Sequence, residues 1–162
     1  MILKYLKFLT KASNQHGVHS PFVYNLVTKC FYKKTAANLL NSYLKEKQQL
    51  DKETNDSSAK NISTKKVKLL IRLVAYFKPK YILEINSNRN NVSLALKAAN
   101  KDTLLSTLES NKKLSEVLKN QQFDFIYFNG NQSKKDTLNY FNACLNTFKN
   151  DTILVFNDIY KN

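Results

Sequence analysis

Glycine is nearly missing from this chain: Gly17 and Gly130 are the only two among 162 residues. Loops that cradle phosphates need glycine, because the backbone must reach φ > 0 and approach the ligand closely. Walker loops and GxGxxG turns therefore cannot be built in the usual way, and no GxSxG elbow occurs, which disfavours a kinase, NTPase or dehydrogenase. Arginine is as scarce, with Arg72 and Arg89 alone. Acids are few as well, 12 against 26 Lys plus Arg, for a formal net charge of +14. Residues 1–50 hold eight Lys and one acid, Glu46, and further positives are scattered as Lys65, Lys66, Lys68, Lys112, Lys113, Lys134 and Lys135. Such a charge favours anionic surfaces, nucleic acid or an acidic membrane leaflet. Spread this widely and carried by Lys, not by the Arg that base and phosphate recognition prefers, it reads as a solvated basic surface ahead of a nucleic-acid site.

Cys30 and Cys144 stand far apart with no CxxC, so they read as buried thiols of a reducing compartment, not as a disulfide or metal ligands. Long apolar runs are absent too. Lys4 and Lys7 interrupt the N-terminal stretch, leaving neither a signal-peptide core nor a membrane span, and a cytoplasmic protein is expected. Ile2, Tyr5, Leu6 and Leu9 do form a stripe at helical spacing. It packs either on the protein's own core, the commoner arrangement, or on a membrane surface.

What is present is one domain's worth of core: 43% of residues are hydrophobic and 12% aromatic, too little chain for two independent domains. Residues 1–50 pattern as a helical extension. Ser20-Pro21 is an N-cap with Pro at the first helical position, predicting a helix to about Lys33, and a further helix spans about Thr35 to Gln49. Residues 51–64 have the polar composition of a flexible linker. From 65 to 162 helices alternate with short apolar strands, the pattern of a parallel sheet. The helix from Ser63 or Thr64 to Phe77 is stopped by Lys78-Pro79. Strands are expected at Tyr81–Ile85, Thr103–Glu109, Phe123–Phe128 and Thr152–Phe156. Helices are expected at about Asn91–Ala99, at about Lys112–Lys119, and from Ser133 or Asp136 along Leu138, Phe141, Leu145 and Phe148.

This order of elements from about Lys66 to Ile159, with Ile82-Leu-Glu-Ile85, Leu104-Leu-Ser-Thr-Leu-Glu109, Phe128-Asn-Gly-Asn-Gln132 and Asn157-Asp-Ile159 at the strand ends, resembles the class I S-adenosylmethionine-dependent methyltransferases. The wording is especially close to small bacterial O-methyltransferases, and His16-Gly-Val-His-Ser-Pro-Phe-Val-Tyr24 is similar to their N-terminal opening. The resemblance implies a truncated Rossmann-like α/β fold: a mainly parallel sheet of about four strands, order 2-1-4-5 in the family's naming, flanked by helices and preceded by a helical extension. Only thirteen residues separate Glu109 from Phe123, where the family has a helix, a strand and another helix, and its closing strands are not represented. Both sheet edges are then exposed, to be covered by a protein partner, a homo-oligomer or the N-terminal helices.

The resemblance also assigns roles. Glu84 matches the acid that ends the first strand. Asn86, Ser87, Asn88 and Asn90 belong to the cofactor turn, with asparagines at 86 and 90 where the family has glycines; Asn tolerates the left-handed region better than most residues but keeps a side chain. Glu109 matches the acid on the ribose hydroxyls, and Asn129 and Gly130 line the cleft beyond the third strand. Metal-dependent members hold a hard cation with carboxylates, but here Asn129 and Asn157 are amides and only Asp158 keeps its charge, so no catalytic metal is expected. Asp158 would stand nearest the methyl acceptor. His16 and His19 lack a third ligand for zinc and read as hydrogen-bonding the next helix or lining the cleft. Two functions stay open: methyl transfer from S-adenosylmethionine to a small nucleophile, or a catalytically inactive remnant that binds a protein or an anionic surface through its basic helices.

Overall fold

The computed structural model describes residues 20–54, 62–86, 90–108, 118, 121–129 and 133–157. They divide into two units, with the break between Lys34 and Thr35. The amphipathic start of the chain, with His16 and His19, lies outside the described residues.

In the first unit, Ser20 caps helix α1 (Pro21–Leu26), its Oγ accepting from the Val23 N–H at 3.4 Å, and Pro21 occupies the first turn. The helix then widens into a π turn, Val27–Phe31, closed by the Tyr32 N–H on the Val27 carbonyl at 2.9 Å. Thr28 marks the change: its hydroxyl donates back to the Tyr24 carbonyl at 2.8 Å, the local competition that bends helices at Thr.

The second unit opens with α2 (Ala37–Thr54). Its last turns are supported by pairs four residues apart, Lys47 with Asp51 at 2.6 Å and Gln49 with Glu53 at 3.0 Å. It therefore continues into the stretch expected as linker, of which residues 55–61 lie outside the described residues. Helix α3 (Thr64–Phe77) starts at Ser63, whose Oγ accepts from the Lys66 N–H at 3.3 Å, and buries Val67, Leu70, Ile71, Leu73 and Val74. It ends on Lys78 in the left-handed conformation, φ 49°, where a Cβ costs about 1 kcal/mol; Pro79 prevents its continuation.

Four parallel strands follow, β1 (Tyr81–Ile85), β2 (Leu104–Leu108), β3 (Phe123–Phe128) and β4 (Phe148–Phe156), in the order β2-β1-β3-β4. This is the α/β Rossmann-like arrangement expected. Helix α4 (Asn90–Lys97) joins β1 to β2, and α5 (Lys134–Cys144) with a short 3-10 turn (Leu145–Thr147) joins β3 to β4. Alternation sends side chains to opposite faces. Leu83, Ile85, Ile126 and Phe128 form one core with Cys144, against which Tyr140 and Phe141 of α5 pack. On the other face Phe125 meets Phe77 of α3, ring centroids 6.5 Å apart.

β4 is longer than the expected Thr152–Phe156 because it begins before a bulge. Phe123 pairs with Phe148, yet Phe125 pairs with Ile153. Thr152 spans the irregularity, its hydroxyl donating to the Phe123 carbonyl at 2.8 Å and accepting from the Lys149 N–H at 2.7 Å. The polar run Lys149-Asn-Asp151 hid this half of the strand from hydropathy. No helix among the described residues is long and apolar enough to cross a membrane.

Candidate functional site

In an open parallel sheet, ligands bind beyond the carboxyl ends of the strands where the strand order reverses. Here that point lies between β1 and β3, since the chain moves from β1 outward to β2 and then returns to the other side of β1. Ile85, Phe128 and Phe156 are in register, so the residues that follow them, Asn86, Asn129 and Asn157, form a row across the edge. Main-chain bonds hold the row: Asn86 N–H to Leu108 O at 2.8 Å, Asn129 N–H to Ile85 O at 3.0 Å, and Asn157 N–H to Phe128 O at 3.0 Å.

Asn86 is in the left-handed region at φ 60°, the conformation glycine would take freely and that asparagine adopts best among other residues. Its side chain is covered, at 4% exposure. Asn90 begins α4, which starts on this same edge because it follows β1; the N–H groups of a helix start attract polar or negative ligand atoms. Asn91, in that first turn, is 3% exposed, and its Nδ2 has no hydrogen-bond partner among the described residues.

Glu84 lies one step inside the strand and is fully buried. Its Oε2 accepts from the Ser93 hydroxyl at 2.5 Å, tying β1 to α4 under the turn. A buried carboxylate is costly unless hydrogen-bonded, and Ser93 supplies that bond. Glu84 also pairs in register with Tyr127, whose ring lies beneath the Lys66 ammonium, 5.9 Å from its centroid.

Of the expected site residues, the structure thus brings Glu84, Asn86, Asn90 and Asn129 to one end of the sheet. Ser87, Asn88, Glu109, Gly130 and Asp158 lie outside the described residues. Sequence reasoning missed Ser93 and Asn91, because it followed only the apolar residues of their helix. The signal available was spacing: two polar residues interrupting the inward face of a short amphipathic segment. Cys144 offers no rival chemistry, since burial pushes its thiol up to about 11, far from the thiolate a nucleophile needs.

Neither a protein-family model nor a curated protein matches the chain. Solved structures do. The O-methyltransferase of Bacillus cereus, in complex with S-adenosylhomocysteine, superposes with a TM-score of 0.54 at 20% identity over 83% of this chain and 71% of its own. The chain shares the α/β Rossmann-like fold of this O-methyltransferase. An S-adenosylhomocysteine-bound methyltransferase of Podospora anserina matches with 0.55 at 15% identity over 88% and 72%. The O-methyltransferase TomG of Streptomyces achromogenes, involved in tomaymycin synthesis and solved with S-adenosylmethionine, matches with 0.51 at 19% over 90% and 74%. The likeness is one of fold; at the carboxyl edge of the sheet this chain itself places a row of three asparagines, Asn86, Asn129 and Asn157.

Proposed function

We propose that the chain binds S-adenosylmethionine across the ends of β1 and β3 and transfers its methyl group to a small-molecule nucleophile. The observation that carries this reading is Asn86 at φ 60° at the switch point: the backbone keeps the turn that lets a ligand approach, without the glycine. Asn91 Nδ2, in the first turn of α4 and without a hydrogen-bond partner among the described residues, is a buried donor of the kind a polar ligand satisfies. In this reading Asn86, Ser87, Asn88, Asn90, Asn129 and Gly130 line the cofactor cleft, Glu109 takes the ribose hydroxyls, and Glu84 steadies the turn from below through Ser93. Asp158 is nearest the acceptor. The cofactor brings a sulfonium whose methyl is already electrophilic; the protein contributes positioning.

The reading includes a cytoplasmic setting and a protein partner or second copy over the outer strands β2 and β4; the expected division into residues 1–50, 51–64 and 65–162 is kept only as an α/β part that follows a helical one, since α2 runs across its first boundary. A second reading, a remnant that no longer catalyses, is favoured by the row of amides at Asn86, Asn129 and Asn157, none of which can act as a base or hold a hard cation well.

Isothermal titration with S-adenosylmethionine and S-adenosylhomocysteine separates the two. Micromolar binding that weakens in Glu109→Ala supports the enzyme. Binding only after Asn86→Gly means a decayed site on an intact scaffold, and silence in both proteins rules the cofactor out.

A further inference from the structure

The first unit carries an exposed apolar and aromatic surface. Between Val23 and Tyr32 four apolar or aromatic side chains are solvent-exposed: Val23 39%, Tyr24 44%, Phe31 42% and Tyr32 68%. A π turn takes more residues per revolution than an α turn, so across Val27–Phe31 the advance slows. Phe31 thereby returns close to the angular position of Val23, and Tyr32 to that of Tyr24, while Phe22, one residue earlier, is also exposed at 55%. Lys29, Lys33 and Lys34 beside them are exposed. No acid precedes Glu46 anywhere in the sequence, and Lys4, Lys7 and Lys11 add to the same sign.

We infer that this surface docks onto an anionic lipid bilayer. The charge is complementary to acidic headgroups, tyrosine is among the residues that favour the membrane–water interface, and Lys stems reach past an apolar face while their ammonium groups stay in water. Two features favour lipid over nucleic acid. No Arg occurs before Arg72, although Arg is what phosphate and base recognition prefers. Val23 adds apolar area that suits an interfacial face and not a stacked base, whereas Tyr24, Phe31 and Tyr32 suit either partner. The inference stands independently of the cofactor reading.

The test uses the full chain and sedimentation with vesicles of phosphatidylcholine alone or mixed with phosphatidylglycerol. The expected result is binding to the mixed vesicles only, decreasing with added salt. Phe31→Ser with Tyr32→Ser weakens it roughly tenfold at unchanged charge, and Lys33→Gln with Lys34→Gln weakens it by a similar factor. All variants are read on protein whose circular-dichroism spectrum matches the wild type. Three results overturn the inference: equal binding to uncharged vesicles, binding to mixed vesicles that ignores the aromatic pair, or a self-associated species that Tyr32→Ser dissociates. Tighter binding to single-stranded DNA than to mixed vesicles, again indifferent to the aromatic pair, would assign the basic surface to nucleic acid instead.

Discussion

At the N-terminal end of the sheet a single carboxylate, Asp124 of β3, gathers the strands on both sides of it, whereas at the C-terminal end three asparagines follow β1, β3 and β4 with no charge among them. Asp124 Oδ2 accepts from the Lys80 and Tyr81 N–H groups at 2.9 and 2.8 Å, and its Oδ1 takes the Lys149 ammonium of β4. Lys80 and Lys149 also lie over the Tyr81 ring, 5.4 and 5.5 Å from its centroid. One end thus uses charge to align strands. At the other, main-chain bonds run from Asn86, Asn129 and Asn157 to Leu108, Ile85 and Phe128, and if that end is the ligand cleft, stability and ligand contact fall to different residues.

The sharpest way to break this contrast is to remove the carboxylate. Asp124→Ala strands two backbone N–H groups and an ammonium, and is expected to cost about 3 kcal/mol, read from the urea midpoint at an unchanged slope. Asp124→Asn keeps an acceptor and should lose about 1 kcal/mol. The pH dependence has a definite sign. Burial alone would raise the Asp124 pKa, but the Lys149 bond, the Tyr81 and Lys80 N–H groups and the Lys149 charge outweigh it and hold it below the ordinary 3.8. A carboxylate depressed on folding contributes stability that is fully present above 3.8 and is lost as pH falls through the lower folded value. The wild type and Asp124→Asn should therefore converge in acid; parallel curves down to the lowest pH would dismiss the network.

The next largest effect belongs to the bond that ties α4 to β1 at the carboxyl end of the sheet, Ser93 to Glu84. Ser93→Ala leaves a fully buried carboxylate oxygen without its hydroxyl, an expected loss of about 2 kcal/mol. In Glu84→Gln the same hydroxyl still finds an acceptor and no charge is buried, so that variant should lie within about 1 kcal/mol of the wild type. If Glu84→Gln proved the more damaging of the two, the carboxylate charge itself would be required, and a purely positioning role for Glu84 would be untenable.

Much of the contrast was legible in the sequence, and the gaps have physical causes. The strands β1 and β3 were readable residue by residue, because Tyr81–Ile85 and Phe123–Phe128 are compact apolar runs between polar turns. Helix α3 announced both ends, through the Ser63 cap and through Lys78-Pro79. The first half of β4 was hidden, since Thr152 replaces a ladder bond with a side-chain one and no hydropathy pattern records that. Asp124 was hidden for a similar reason: inside an apolar strand it reads as an interruption, and only the register shows that it faces the start of β1. At the other end, the positions of Asn86 and Asn129 followed from the order of elements. Their alignment with Asn157 needed the parallel register, and the Glu84–Ser93 bond needed the packing of α4 on β1.

Asn86 tests the cleft end with the smallest expected change in stability. At φ 60° an alanine meets the left-handed penalty without asparagine's local hydrogen bonding, and Asn86→Ala should lose about 1 kcal/mol. Asn86→Gly removes that penalty but adds freedom to the unfolded chain, and the two effects nearly cancel, leaving a change of about 0.5 kcal/mol or less. Stability and binding should then separate. If the cleft admits a cofactor by close backbone approach, Asn86→Gly tightens S-adenosylhomocysteine binding while the urea midpoint scarcely moves. A glycine that stabilises the fold and leaves affinity untouched would instead assign Asn86 to the turn alone, and the difference between the two ends of the sheet would be one of bonding and not of function.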